Sequence, residues 1–336
     1  MEVHSAQSKA IPPHLHPPEI VRTTAYEDVG MLKVANWIKP WDFEERLDAG
    51  IVGVPLAKSG GYWKGVFEAP NAIRDTFAWF CTYSPDFDVD IRDLVVRDIG
   101  DVEMHTTGIV LSQERILATL RELYLSFGCD FMPVIIGGDH SIVRPSVRAF
   151  REGRNETVGL IQLDAHDDLR QFTWGGPTSG TPFRGILEDH SVEGRNFVQI
   201  GLHGFGSSKT DLDYARDQGA HRMSMREVRK RGVENVMEAA IAYAGDGTQA
   251  IYVSLDIDIL EGAFTPGTGS PEPGGMSPGD LLEAVYLLSC SPKVKALDLV
   301  CIDPLKDIRG LTVRMGCAII LTFLTGLYQR KRGGEG

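Results

Sequence analysis

Three short stretches of this sequence concentrate side chains that hold protons or cations: Gly137-Gly138-Asp139-His140-Ser141, Asp164-Ala165-His166-Asp167-Asp168 and Asp256-Ile257-Asp258. Each directly follows an apolar run of strand length, at residues 132–136, 158–163 and 251–255. Buried strand ends seldom tolerate several carboxylates, because unpaired buried charges are costly and neighbouring carboxylates raise one another's pKa. Something cationic is therefore expected among them. If residues 164–168 stay extended, Asp164, His166 and Asp168 project to one side, and the same spacing pairs Asp256 with Asp258. With His140 they make four carboxylates and two imidazoles. That is too many ligands for one ion and suits two divalent ions ~3.5–4 Å apart that share carboxylates and activate a water. The mostly oxygen donor set favours Mn²⁺ over Zn²⁺, while the imidazoles leave Ni²⁺, Co²⁺ or Fe²⁺ open. Singly, each stretch has an ordinary reading as a turn or a helix cap. Three of them after three strands outweigh that reading.

The elements that must position these groups repeat along the chain. Strand-length apolar runs occur at 94–96, 132–136, 158–163, 197–200, 251–255 and 296–302. Amphipathic segments of helix length separate most of them, at 112–127, 143–151, 225–243, 279–288 and 311–328. Because the runs are nearly continuous rather than alternating in polarity, they suit a parallel sheet covered on both faces. The expected fold class is therefore α/β, three layers α/β/α around a central, mostly parallel sheet. Ligands of such sheets sit outside the carboxyl ends of the strands, where the three motifs fall. Residues 21–336 show no composition break and read as a single domain. Residues 1–20, with His4, His14, His16 and four prolines, read as an extended arm, disordered or draped over a neighbouring subunit. A metal-binding tract is the alternative for those histidines.

Acidic residues outnumber basic ones 46 to 34, a formal charge of -12, which disfavours nucleic acid as a partner. With 43% hydrophobic and 24% charged residues the composition is that of an ordinary globular protein. The five cysteines are scattered and form no C-x-x-C pair, so neither a disulfide framework nor a thiolate zinc site is indicated. No start resembling a signal peptide is present, and the longest apolar run, residues 317–327, falls short of the ~20 residues of a membrane span. A cytoplasmic protein without a membrane partner is expected.

The three motifs, together with Ser254-Leu255 ahead of Asp256 and the segments Pro266-Gly267-Thr268-Gly269 and Pro273-Gly274-Gly275, resemble those of the ureohydrolases, the family of arginase, agmatinase and formimidoylglutamase. The resemblance spans roughly residues 45–330. It implies an arginase/deacetylase-like fold and two divalent ions per chain, Mn²⁺ or sometimes Ni²⁺. It further implies hydrolysis of a C–N bond in a linear amidine or guanidine, and assembly into homo- or hetero-oligomers, trimers or hexamers. Carried over by position, one ion is held by His140, Asp164, Asp168 and Asp256, the other by Asp164, His166, Asp256 and Asp258. The ion pair makes hydroxide near neutral pH, hydroxide attacks the amidine carbon, and Asp168 passes a proton to the leaving nitrogen.

Within the family the segments Asp164 to Arg170, Gly175-Gly176-Pro177-Thr178 and Ser179-Gly180-Thr181-Pro182-Phe183-Arg184 are most similar to formimidoylglutamases. Arginases and agmatinases carry a proton-shuttling histidine near the position of Ser179. In Cys301-Ile302-Asp303-Pro304 a cysteine stands where many members place a glutamate that holds the substrate cation. The expected substrate contacts are Arg170, Ser179, Arg184, Tyr62, Trp63, Trp174 and Cys301. Arg170, Arg184 and Lys64 would hold substrate carboxylates, and the aromatic rings would face a delocalised cation. Alternatives are a guanidine, alkylguanidine or biguanide (metformin-type) hydrolase and, from another class, a catalytically silent partner subunit of a hetero-oligomer.

Overall fold

The computed structural model describes residues 11–333 apart from 27, 60–64, 129, 130 and 175. Its strands are β1 (Leu15–His16), β2 (Lys39–Pro40), β3 (Ala49–Val54), β4 (Tyr83–Ser84), β5 (Val89–Asp90), β6 (Val96–Val102), β7 (Met132–Gly137), β8 (Val158–Leu163), β9 (Phe197–Ile200), β10 (His221–Met223), β11 (Ala250–Asp256) and β12 (Val294–Val300). The helices are α1 (Val34–Trp37), α2 (Ala69–Thr76), α3 (Ile109–Phe127), α4 (Val143–Arg154), α5 (Pro182–Glu188), α6 (Lys209–Asp217), α7 (Met225–Arg231), α8 (Val233–Gly245), α9 (Pro278–Cys290) and α10 (Leu311–Gly333).

Ten strands form one sheet in the order β1-β6-β3-β7-β12-β11-β8-β9-β10, with β2 also on β6. Every pairing in it is parallel except that of β1. The helices pack in two groups, α3 with α4 and α5, and α2 with α10, α9, α8 and α7. These groups flank the sheet as the continuous apolar runs require: every residue of β3, β7, β8, β9 and β11 is buried. The three-layer α/β/α expectation is met. The four strands whose ends matter most, β7, β12, β11 and β8, are neighbours at the centre of the sheet.

Several details differ from the sequence reading, each for a local reason. The run at 94–96 is only the doorstep of β6, whose own sequence carries Asp98 and Asp101. Those carboxylates are buried because Arg74 donates to both, Nε to Asp98 at 2.7 Å and Nη1 to Asp101 at 2.8 Å. A segment expected as one helix at 225–243 is two, α7 and α8, divided at Gly232, whose φ of 84° suits glycine. β12 stops at Val300, because Cys301 turns to a φ of 67°. The described part of the expected arm lies on its own sheet: Leu15 pairs with Val102, and Thr119 Oγ1 donates to the Pro13 carbonyl at 2.7 Å. The long apolar helix α10 meets the length and hydropathy of a membrane span, yet 67% of that window is buried against the protein, the signature of a core helix.

Candidate metal centre

The centre is built by turns, not by straight strand ends. After β7 the chain passes Gly138, where a Cβ would lie 1.9 Å from the Leu56 carbonyl oxygen, so only glycine lets these backbones touch. Asp139 then accepts from the amides of Lys58 (3.0 Å), Ser59 (3.2 Å) and Ser141 (3.1 Å), pinning His140 in place. Residues 164–168 do not stay extended as the spacing suggested. The His166 amide folds back on Asp164 Oδ1 at 2.6 Å and the Leu169 amide on Asp167 Oδ1 at 3.0 Å, while Asp168 takes a φ of 49°. Asp256 ends β11 and Asp258 lies in the following helical turn, its amide on Asp256 Oδ1 at 2.9 Å. Aspartates make such local bonds readily, which is why the convergence survives the loss of extension.

All six candidate ligands come together, in two sets. Nδ1 of His140, fully buried, lies 3.2 Å from Asp164 Oδ2, 3.0 Å from Asp168 Oδ2 and 3.2 Å from Asp256 Oδ2. Nδ1 of His166 lies 3.0 Å from Asp258 Oδ2 and 3.6 Å from Asp164 Oδ1. Asp164 thus shows one oxygen to each set. Asp256 reaches the first set through Oδ2, its Oδ1 being occupied by the Asp258 amide.

The hydrogen bonds behind His140 fix its tautomer. Ser254 Oγ donates to Asp298 Oδ1 at 2.7 Å, so at 3.0 Å from His140 Nε2 it accepts, and Nε2 carries the proton. Nδ1 faces three carboxylates and makes a directed hydrogen bond to none, so it offers them a lone pair when a metal ion lies between them and a proton when none does. Lone pair against carboxylates is repulsive unless a cation sits between them, and an imidazole oriented from behind by a serine and a carboxylate is how proteins prepare a metal ligand. The donor set fits divalent metal.

The titration behaviour has the same origin. Burial pushes Asp168 up to about 7, helped by the neighbouring Asp164 charge. Burial, then Asp256 and Asp164, hold Asp258 well above the ordinary range. Burial also works against charge on His140 and His166, but the aspartates crowded around them outweigh it and raise both, His166 to about 12. Asp164 is the exception, lowered because the two histidines outweigh its burial. More negative charge is enclosed here than the space tolerates, and divalent cations relieve that excess directly.

Cys301 joins the cluster: its Sγ and donor atoms of His140 and Asp256 all lie within 4.8 Å of one another, and its backbone amide is held by the Gly138 carbonyl at 2.8 Å. Burial, then the charges of Asp256 and Asp258, keep its thiol protonated well above the usual range. Ser179 is buried and hydrogen-bonded to Ser59 Oγ, which ties the 176–181 segment to the loop hanging from Asp139. Arg170 is exposed and lies along Gly180. Arg184, expected at a substrate carboxylate, is instead engaged with Glu188 at 2.8 Å and stacked 3.9 Å over Tyr214, as an i,i+4 pair on α5 favours. Tyr62, Trp63, Lys64 and the Trp174 side chain lie outside the described residues.

Sequence reasoning passed over the supports. Gln162 donates to Asp164 Oδ2 at 2.7 Å and to the His166 carbonyl at 3.1 Å; Ser254 and Asp298 hold His140. A signal was present: each is a lone polar residue in an apolar run, and Gln162 and Ser254 stand two residues before Asp164 and Asp256, on the same strand face.

Residues 47–326 match the model of the arginase family. A formimidoylglutamase of Halalkalibacterium halodurans is 39% identical over 302 residues, 90% of this chain and 94% of the relative. The crystal structure of formimidoylglutamase from Bacillus subtilis superposes with a TM-score of 0.86 at 31% identity, covering 90% of this chain and 94% of that one. That of a Trypanosoma cruzi formiminoglutamase with Mn²⁺ gives 0.76 at 26% identity, covering 84% and 94%. The chain belongs to the arginase family, hydrolases of C–N bonds in linear amidines.

Proposed function

We propose that the chain hydrolyses N-formimidoyl-glutamate at a binuclear Mn²⁺ centre, one ion held by His140, Asp164, Asp168 and Asp256, the other by Asp164, His166, Asp256 and Asp258. The observation that carries this reading is Asp164, whose Oδ2 faces the His140 set and whose Oδ1 faces the His166 set. Two divalent cations held in these sets would supply a water of lowered pKa at neutral pH. Asp168 is the most exposed of the four carboxylates, at 13% against 1%, 4% and 1% for Asp164, Asp256 and Asp258. It is therefore the one placed to hold a proton for the leaving nitrogen. Ser254 and Asp298 keep the His140 lone pair aimed at the cluster, and Gln162 does the same for Asp164.

Formimidoylglutamate as substrate is supported by the similarity to formimidoylglutamases and by Ser179 standing where arginases and agmatinases place a histidine. Mn²⁺ is supported by the oxygen-rich donors and by the Trypanosoma cruzi relative, with Ni²⁺ as the alternative ion. Assembly into trimers or hexamers and a cytoplasmic location belong to the same reading, the first resting on the family resemblance and the second on the cysteine pattern. The convergence of all six ligands speaks against a silent subunit. Protein reconstituted separately with Mn²⁺ and Ni²⁺ tests the proposal, through metal content and a panel of formimidoylglutamate, agmatine, arginine, guanidine, guanidinobutyrate and dimethylbiguanide. The expected outcome is about two ions per chain and formamide from formimidoylglutamate. Less than one ion per chain sinks the centre; urea from a guanidine compound without formamide sinks the substrate.

A further inference from the structure

The strands that end in the metal cluster begin in surroundings of opposite character. A cavity of about 910 Å³ opens at the amino ends of β3, β7 and β12, beside the last residues of α4 and α10. It is lined by five cationic side chains, Arg46, Arg154, Lys295, Arg330 and Lys331, and by only two carboxylates, Asp48 and Asp93. In a chain with a formal charge of -12 this is a local reversal of sign.

Two of these cations, Arg154 buried and Arg330 half-buried, lack full compensation. Arg330 donates through Nη1 to three carbonyls, of Ser289 (3.3 Å), Ser291 (2.7 Å) and Val294 (2.7 Å), neutral acceptors that leave its charge unmatched. Burial accordingly presses its pKa down to about 10. Arg154 has a side chain only 3% exposed; Nε donates to Glu156 at 3.0 Å, the guanidinium lies 4.9 Å over Phe150, and the buried Nη1 has no hydrogen-bond partner. Lys295 uses the same Glu156, at 2.9 Å, so one carboxylate serves two cations, while Lys331 pairs with Asp48. Capping the end of α9 accounts for the carbonyl bonds of Arg330, but not for the unpartnered N–H of Arg154 or the surplus charge. Buried donors left unpaired cost free energy that a bound anion recovers.

We infer that this cavity binds a small oxyanion, drawn by the charge of Arg330 with Arg154 behind it and Lys295 and Lys331 at the rim. The site is independent of the catalytic reading. β7 and β12, six and seven residues long, separate it from the cluster by about 20 Å at ~3.3 Å per residue.

Isothermal titration of the full-length protein at low ionic strength tests this, with inorganic phosphate as one probe and succinate as the other, to tell phosphate from carboxylate ligands. Saturable binding of either, at one site per chain, is the expected result. Affinity should fall as salt rises, should persist in Asp256→Asn, and should drop about tenfold or more in a Lys295→Gln, Lys331→Gln double variant. The lysine pair is substituted because Arg330→Met removes a helix cap and risks unfolding; the double variant's melting temperature confirms that it is folded. Absence of saturable binding for both probes, unchanged affinity in the lysine variant, or loss of binding in Asp256→Asn overturns the inference.

Discussion

The two ends of the central strands enclose opposite charges and manage them differently. At the carboxyl ends, Asp164, Asp168, Asp256 and Asp258 crowd around two imidazoles, and the excess is negative. At the amino ends, Arg154, Arg330 and two lysines face too few carboxylates, and the excess is positive. The first end is organised in depth: Asp164, Asp256 and Asp258 accept from backbone amides, and Gln162, Ser254 and Asp298 stand behind Asp164 and His140. The second is held by carbonyls and a shared glutamate. A site that must place reacting groups to a fraction of an ångström needs such supports; a site that only attracts a charge does not.

That contrast breaks most visibly at Asp164. Asp164→Asn removes the oxygen pair common to both sets, so metal content should collapse and kcat fall by on the order of 10³, as measured by elemental analysis and steady-state kinetics. Retention of two ions would mean that the bridging geometry is misread.

The next effect concerns the depth of the support. Burial holds Asp298 at about 6, above the ordinary 3.8, so its stabilising contribution is full below pH 4 and is lost as pH rises to about 6. The stability of chelator-treated wild type relative to Asp298→Asn, from urea unfolding, should therefore fall by about 3 kcal/mol across that window and stay flat above it. Ser254→Ala leaves Nε2 of His140 without its acceptor and should weaken Mn²⁺ binding by about 10–100-fold, read by equilibrium dialysis. An unchanged metal affinity would reduce the serine to packing.

Smaller effects sharpen the comparison. Cys301→Glu places a carboxylate beside His140 and Asp256 and should shift the ratio of kcat/KM between guanidine and formimidoyl substrates by about tenfold, with metal content preserved. Smallest of all, Lys295→Gln with Lys331→Gln should leave metal content intact and kcat within about twofold, since surface charge changes far from a site cost little. A larger change in kcat would show that the two ends communicate along β7 and β12.

The candidate metal ligands are legible in the sequence. Aspartates and histidines immediately after apolar runs announce themselves, because nothing but a cation makes such crowding tolerable at a buried strand end. The parallel sheet is legible too, from runs such as 158–163 that coincide with β8. β6 is not, because the burial of Asp98 and Asp101 depends on Arg74, which lies more than twenty residues earlier. Nor is the mode of convergence: the spacing suggests extension at 164–168, whereas the chain forms Asx-type turns with a left-handed Asp168.

By itself the sequence determined which side chains are present, that they follow strands, and that six of them suit two metal ions. Tertiary structure alone decided that β7, β12, β11 and β8 lie side by side, that Cys301 enters the cluster while Arg184 stacks on Tyr214, and that Asp298 stands behind His140. It also gathered Arg46, Arg154, Lys295 and Arg330 into one cavity. The physical reason is common to all of these. Strand adjacency in a parallel sheet is set by crossovers between segments far apart in sequence, so which polar groups meet at either end depends on strand order, and strand order is a property of the packed whole.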